Sequence, residues 1–227
     1  MRGQLLVRWA LVLLLPTSLT LTTGCGGETR VSEAKQPRPA APASSPVEPV
    51  DNGSSSPRAQ VVRVEKYGVS FELPKGWMTL DAKQLLDSSN PVIKEIAGRM
   101  GVTSKQLLET IGSSVQTFSV TDQGAVDGFL DNVNSVGVPR ANYNDEQLKL
   151  EIAALGAKID TLEHASSAAG DITRVAYTWT PTGIRVHVVA LKVDVGDAIV
   201  MVTASSHSAA EANERGDQIQ ASLQPIN

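Results

Sequence analysis

The chain has 227 residues, a formal net charge of −4 (20 Lys+Arg against 24 Asp+Glu) and a single cysteine. One thiol allows no internal disulfide and no cysteine-based metal cluster. Without a basic excess or a Lys/Arg cluster, the chain lacks the electrostatic footprint of a nucleic-acid binder.

At the start, Arg2 and Arg8 form a short basic region, and Trp9 to Leu21 follow as 13 residues without a charge. A membrane-crossing helix needs roughly 20 apolar residues, so this run reads as the apolar region of a secretory signal rather than a mature span. The arginines on its N-terminal side set the usual inside-to-outside orientation. It ends in Leu21-Thr22-Thr23-Gly24-Cys25. That string resembles the lipobox of bacterial lipoproteins, in which small residues lie extended in a peptidase site and the cysteine thiol carries a diacylglyceryl thioether. It departs from the pattern at Thr22, where leucine is more usual. The resemblance implies a signal peptide over residues 1–24, lipidation at Cys25, and anchoring to the outer face of the cytoplasmic membrane. Several acyl chains at one terminus give durable attachment. The competing reading is an ordinary signal peptide with a stray cysteine.

Residues 25–60 change character. After Cys25 the segment is dominated by Pro, Ala, Ser and Gly, with six prolines and no aromatic residue. It cannot bury enough apolar surface to offset its chain entropy, so it is expected to be a disordered tether. As a flexible coil it would span on the order of 35 Å, and more where proline stiffens it.

Residues 61–227 suit one domain. They hold eight of the nine aromatics and are mildly acidic, with 14 Lys+Arg against 20 Asp+Glu. Alternation marks Val69-Phe71-Leu73 as a strand, with Val115–Val120 and Val126–Val136 as further candidates, the last interrupted by Gly128. Helix starts are legible as capping boxes at Asp81/Gln84, Thr103/Gln106, Asn144/Gln147 and Ser208/Glu211, and as an N-cap with proline at Asn90-Pro91. Each is followed by apolar residues at helical spacing, and Gly101, Gly112 and Gly156 stand where C-terminal glycines belong. Ile172–Thr180, Ile184–Val193 and Ala198–Ala204, separated by short turns, predict an antiparallel meander. The pattern points to α+β, a central antiparallel sheet with helices packed on its faces.

The phrase Tyr67-Gly68-Val69-Ser70-Phe71-Glu72-Leu73-Pro74-Lys75-Gly76-Trp77 is a strand running into a Pro-x-Gly-Trp turn. It resembles the opening of the Mog1/PsbP-like fold, in particular the actinobacterial LpqN/LpqT-like lipoprotein family. Phe129-Leu130-Asp131-Asn132-Val133-Asn134 resembles the same family's Asn-x-Asn strand, and Asp197 to Leu223 its closing strand and helix. The resemblance implies the fold, a place in the cell envelope and an adaptor-like role towards other proteins. It implies no catalytic residues and no cofactor.

Five residues stand out as candidate binding positions: Trp77, Asp131, Asn132, Asn134 and Trp179. Asn132 and Asn134 share a strand face and Asp131 points the other way, so the asparagines either meet a ligand or partner or anchor a neighbouring loop. The tryptophans either fill core or anchor an interface. His187 falls on a strand, whereas His164 and His207 fall near loops. No two histidines have helical i, i+4 spacing and no HExxH occurs, so the sequence offers no recognisable metal site, although loop histidines can meet in space. No Gly-x-Ser-x-Gly elbow, paired carboxylates of inferable separation or phosphate loop is present. The expectation is a membrane-anchored, non-catalytic interaction module with an envelope protein partner. A carrier of an apolar envelope lipid is the alternative, and an unrecognised hydrolase comes last.

Overall fold

The computed structural model describes residues 59–140 and 143–226. The expected signal peptide, Cys25 and nearly all of the tether lie outside the described residues.

The chain opens on β1 (Gln60–Val64), one residue before the expected domain edge, and a 3-10 turn at Glu65–Tyr67 leads into β2 (Val69–Leu73). The turn closes on Gly68 at φ 64°, a left-handed conformation that glycine adopts at no steric cost. Strand β3 (Met78–Asp81) follows the Pro-x-Gly-Trp turn. Helices α1 (Pro91–Arg99) and α2 (Ser104–Ile111) precede β4 (Val115–Val120) and β5 (Asn132–Pro139). Then come α3 (Asp145–Ala154), β6 (Lys158–Ser167), β7 (Gly170–Trp179), β8 (Val186–Val195), β9 (Ala198–Ser206), α4 (Ala209–Ser222) and a two-residue β10 (Gln224–Pro225).

The helix starts behave as their capping residues dictate. Asn90 accepts a hydrogen bond from the Val92 amide, Thr103 and Gln106 form a reciprocal capping box, and Asn144 accepts from Gln147. Asp81 and Gln84 also exchange side-chain-to-backbone bonds, but they head only a 3-10 turn, Gln84–Leu86. That turn is followed at once by Asp-Ser-Ser-Asn-Pro, whose residues favour turns over helix continuation.

Seven strands form one antiparallel sheet in the order β3-β4-β5-β9-β8-β7-β6, as the α+β reading expects. A second sheet of three strands, β1-β2-β10, was not anticipated. Because successive strand residues face opposite sides, β8 feeds two cores. Val188 and Ala190 pack with Ile93, Ile96, Leu107, Leu148 and Ile152 of α1, α2 and α3. Val189, Leu191 and Val193 pack with Phe71 and Leu73 of the small sheet and with Ala212 and Ile219 of α4. The large sheet is thus covered by three helices on one face, and by α4 with the small sheet on the other.

Two strand expectations change. Val126–Val136 is not one strand: Asp127 and Gly128, at φ 52° and 78°, make a tight turn, and Val126 and Phe129 exchange backbone bonds across it. Asp-Gly is a favoured pair for such turns, so β5 starts only at Asn132. His164 lies within β6 rather than near a loop. That edge strand is charged and largely exposed, and a bulge between Ile159 and Thr161 breaks the alternation that would have marked it.

Candidate functional site

Four pieces of chain meet at one end of the large sheet: the Pro74–Trp77 turn, the β4–β5 connection, the end of β9 and the first turns of α4. They enclose an open groove of about 290 Å³. The Pro74–Trp77 turn comes so close to the β4–β5 connection that a Cβ at Gly76 would sit 2.8 Å from Asp122 Oδ2, and φ of 99° adds a second reason for glycine. The turn delivers Trp77, half-buried against the core beneath α4. The Arg215 guanidinium of α4 lies over its ring, 5.1 Å from the centroid, and also donates to Gln218 Oε1. Burial pulls Arg215 below its ordinary pKa, and the charges of Glu214, Asp131 and Glu211 oppose that shift.

Asp131 sits beside this pair, just before β5. The Ser206 hydroxyl lies 2.9 Å from Asp131 Oδ2 and 3.0 Å from Glu211 Oε2, and its oxygen accepts from the Ser208 amide at 2.9 Å. His207 Nδ1 lies 3.1 Å from Asp131 Oδ1. Burial raises the Asp131 pKa, the Ser206 bond and His207 counter it, and the Glu211 charge adds to it. These residues come together because β5 pairs with β9 in a register that sets Asn132 opposite Ser205. Residue 131 therefore falls beside Ser206 and His207, while Ser208 caps α4 and turns Glu211 back towards the sheet.

Of the other candidates, Asn132 also lines the groove, while Asn134 and Trp179 lie outside it. Asn132 and Asn134 share a face, as alternation predicts, but both are buried, with 2% and 4% of their surface exposed. Asn132 Nδ2 donates to the Leu130 carbonyl, while its Oδ1 is buried without a hydrogen-bonding partner. Trp179 does not line the groove. Its indole donates to the Leu155 carbonyl at 3.0 Å, tying β7 to the C-terminal end of α3. Of the five candidates, the structure brings Trp77 and Asp131 together at an accessible place. It adds Arg215 and Ser206, which the sequence did not single out, and His207 and Glu211, which it named only as a loop histidine and a helix-capping residue. The spacing His207-x-x-x-Glu211 was the available signal, and a search confined to histidine pairs passes over it.

A second polar cluster lies on the opposite face. Lys192, only 8% exposed, reaches Asp145 Oδ1 at 3.1 Å; Thr173 Oγ1 donates to the same oxygen at 3.0 Å, and His164 Nε2 lies 3.5 Å from Asp145 Oδ2. Burial pushes the Asp145 carboxyl up, but the bonds from Lys192 and Thr173 and the Lys192 and His164 charges outweigh it and hold it below its ordinary range. This cluster pins the N-terminal end of α3 to the sheet.

No protein-family model matches the chain, and no curated protein matches it. Solved structures to which it is similar include cyanobacterial PsbP from Synechocystis sp. PCC 6803, at 12% identity over 78% of this chain and 98% of that one, TM-score 0.47. The Saccharomyces cerevisiae Ran-binding protein Mog1p is similar at 8% identity over 76% of this chain and 97% of that one, TM-score 0.48. LpqN of Mycobacterium tuberculosis, a protein involved in cell envelope biogenesis, is similar at 9% identity over 74% of this chain and 90% of that one, TM-score 0.44. These are likenesses of fold to the proteins for which the resembled families are named, and they carry no activity or partner over to this chain.

Proposed function

We propose that this chain is a lipid-anchored, non-catalytic interaction module of the cell envelope, and that the Trp77–Arg215 groove is the face it offers to a protein partner. The observation that carries the reading is the pairing itself: a half-buried Trp and a partly desolvated Arg stacked at the mouth of an open groove. Trp and Arg are enriched among the few residues that dominate binding energy at interfaces, where a rigid aromatic surface is gained at low entropic cost. The lipobox-like Cys25 and the Pro-rich segment after it support a tethered location, one that gives the domain reach from a membrane surface.

The chemistry near the two strand histidines supports a non-catalytic reading. Thr173 and Thr178 each lie 3.4 Å from an imidazole Nδ1, of His164 and His187, but their hydroxyl protons are directed to Asp145 at 3.0 Å and Asp160 at 2.8 Å. A hydroxyl whose proton is already given to a carboxylate is not activated by a neighbouring imidazole. The lipid-carrier reading draws less support. The grooves of about 290 and 400 Å³ are open and lined largely by charged and polar side chains, and the open groove of about 330 Å³ mixes such side chains about equally with apolar ones. An acyl chain there would desolvate those groups without pairing them.

Photo-crosslinking in intact cells from the groove rim, with the probe at the exposed Gln123, tests the proposal. An envelope protein should be captured, and the capture should fall sharply in Trp77→Ala and Arg215→Glu variants that keep wild-type circular dichroism. Capture of nothing above background, or capture indifferent to both substitutions, overturns it.

A further inference from the structure

Among the described residues, one group of His, Asp and Glu side chains places a donor atom from each member within 4.8 Å of the others: Asp131, His207 and Glu211. From this we infer that the rim of the groove is a binding site for a first-row divalent cation, with Asp131 Oδ1, His207 Nδ1 and a Glu211 carboxylate oxygen as its protein ligands.

The spacing suits coordination. Ligand atoms about 2.1 Å from a shared ion lie about 3.0 Å apart when adjacent in an octahedral site and about 3.4 Å apart in a tetrahedral one. His207 Nδ1 and Asp131 Oδ1 are 3.1 Å apart, the separation of adjacent ligands. The three side chains come from the residue before β5, the residue after β9 and the first turn of α4, so folding alone assembles them. Two carboxylates and one imidazole are a mixed oxygen and nitrogen set. The imidazole favours Zn²⁺ over Ca²⁺ or Mg²⁺, and the two carboxylates also suit Mn²⁺.

The surrounding charge points the same way. Asp131 and Glu211 both face the Ser206 hydroxyl, which has one proton to give between them. Arg215 lines the same groove, yet it stacks on Trp77 and bonds Gln218 instead of bridging the two carboxylates. The carboxylate pair is therefore offset by Arg215 only at a distance and by His207 only when it is protonated, and a divalent ion supplies a charge in direct contact. The groove beside Asp131 and Glu211 leaves room for water or a partner's side chain at the ion's remaining positions. Cation binding does not depend on the groove's being a partner surface, and each can fail alone.

Titration of the EDTA-stripped full-length chain with Zn²⁺ and with Mn²⁺, followed by calorimetry and by the Mn²⁺ paramagnetic resonance signal, tests the inference. One ion per chain should bind saturably. Asp131→Asn, Glu211→Gln and His207→Ala should each weaken it by more than about tenfold, the least expected for a direct ligand. His164→Ala and His187→Ala should leave it unchanged. His207 is 42% exposed in its side chain, so His207→Ala keeps the test valid if the Asp131 variant fails to fold. No saturable binding, or binding that survives His207→Ala and Glu211→Gln undiminished, overturns the inference.

Discussion

The ring of Tyr67 rests on the backbone of Gly137, so closely that a Cβ built at position 137 would overlap it. This contact seats the turn between β1 and β2 on β5, joining the small sheet to the large one. Gly137 has no left-handed φ, so its side chain is excluded by space and not by backbone strain. Gly137→Ala should cost about 1–3 kcal/mol through overpacking. In a Tyr67→Ala background the same change should cost almost nothing more, as expected of residues in direct contact. Urea denaturation of the four proteins checks this, and simple additivity would refute the contact.

Gly216 opposes two effects within α4. Alanine there gains about 1 kcal/mol of helix propensity. Its methyl, however, would come 2.5 Å from Val189 Cγ1 and 3.0 Å from Val189 Cβ on β8. Overpacking of about 1–3 kcal/mol should win, so Gly216→Ala destabilises. With Val189→Ala the 2.5 Å contact is gone and only the 3.0 Å one to Cβ remains, so most of the penalty should disappear, a difference that thermal midpoints resolve.

Lys192 is nearly enclosed, and its charge is matched by Asp145. Asp145→Asn leaves the ammonium without a counter-charge. The usual penalty for breaking a buried pair is about 3–5 kcal/mol, and the 28% exposure of the Asp145 side chain lowers the expectation to about 2 kcal/mol. Lys192→Met, which removes the charge and keeps the bulk, should cost about 1 kcal/mol or less. The pH dependence has a fixed sign. The Asp145 carboxyl is held below its ordinary range, so its stabilisation is present above the unfolded value of about 3.9 and is lost as pH falls through the folded value. The gap in thermal midpoint between wild type and Asp145→Asn should narrow as pH falls and close in strong acid.

Cys25 supports a prediction from sequence alone. Cys25→Ser removes the only thiol, and with it the acyl anchor. The variant should incorporate no labelled palmitate and should move from the membrane fraction to the soluble one. Unchanged membrane association would reject the lipobox reading.

Much of the fold was legible because its signals are short-range. The bonds from Asn90 to Val92, Thr103 to Gln106 and Asn144 to Gln147 span two or three residues, so spacing alone reveals them. The meander was legible because β7, β8 and β9 are rich in β-branched and apolar residues and are joined by short turns. β6 escaped because an exposed edge strand needs no apolar face, and β3 because four residues carry little periodicity.

The candidate site divided along the same line. The face shared by Asn132 and Asn134, and the opposite direction of Asp131, follow from strand geometry. Their fates do not, because burial depends on what covers each face: α1, α2 and α3 pack on one side, and α4 with the small sheet on the other.

The sequence by itself determined the helix starts, the β-branched and apolar runs of the central strands, the α+β class and the single thiol at Cys25, all fixed by residues a few positions apart. Only the tertiary structure decided which charges meet. Asp131 and His207 are 76 residues apart, and Lys192 and Asp145 are 47 apart. The first pair is set by the register of β5 on β9, and the second by where α3 lies on the sheet. Such pairings are chosen by the joint burial of distant segments, and no local pattern of residues encodes them.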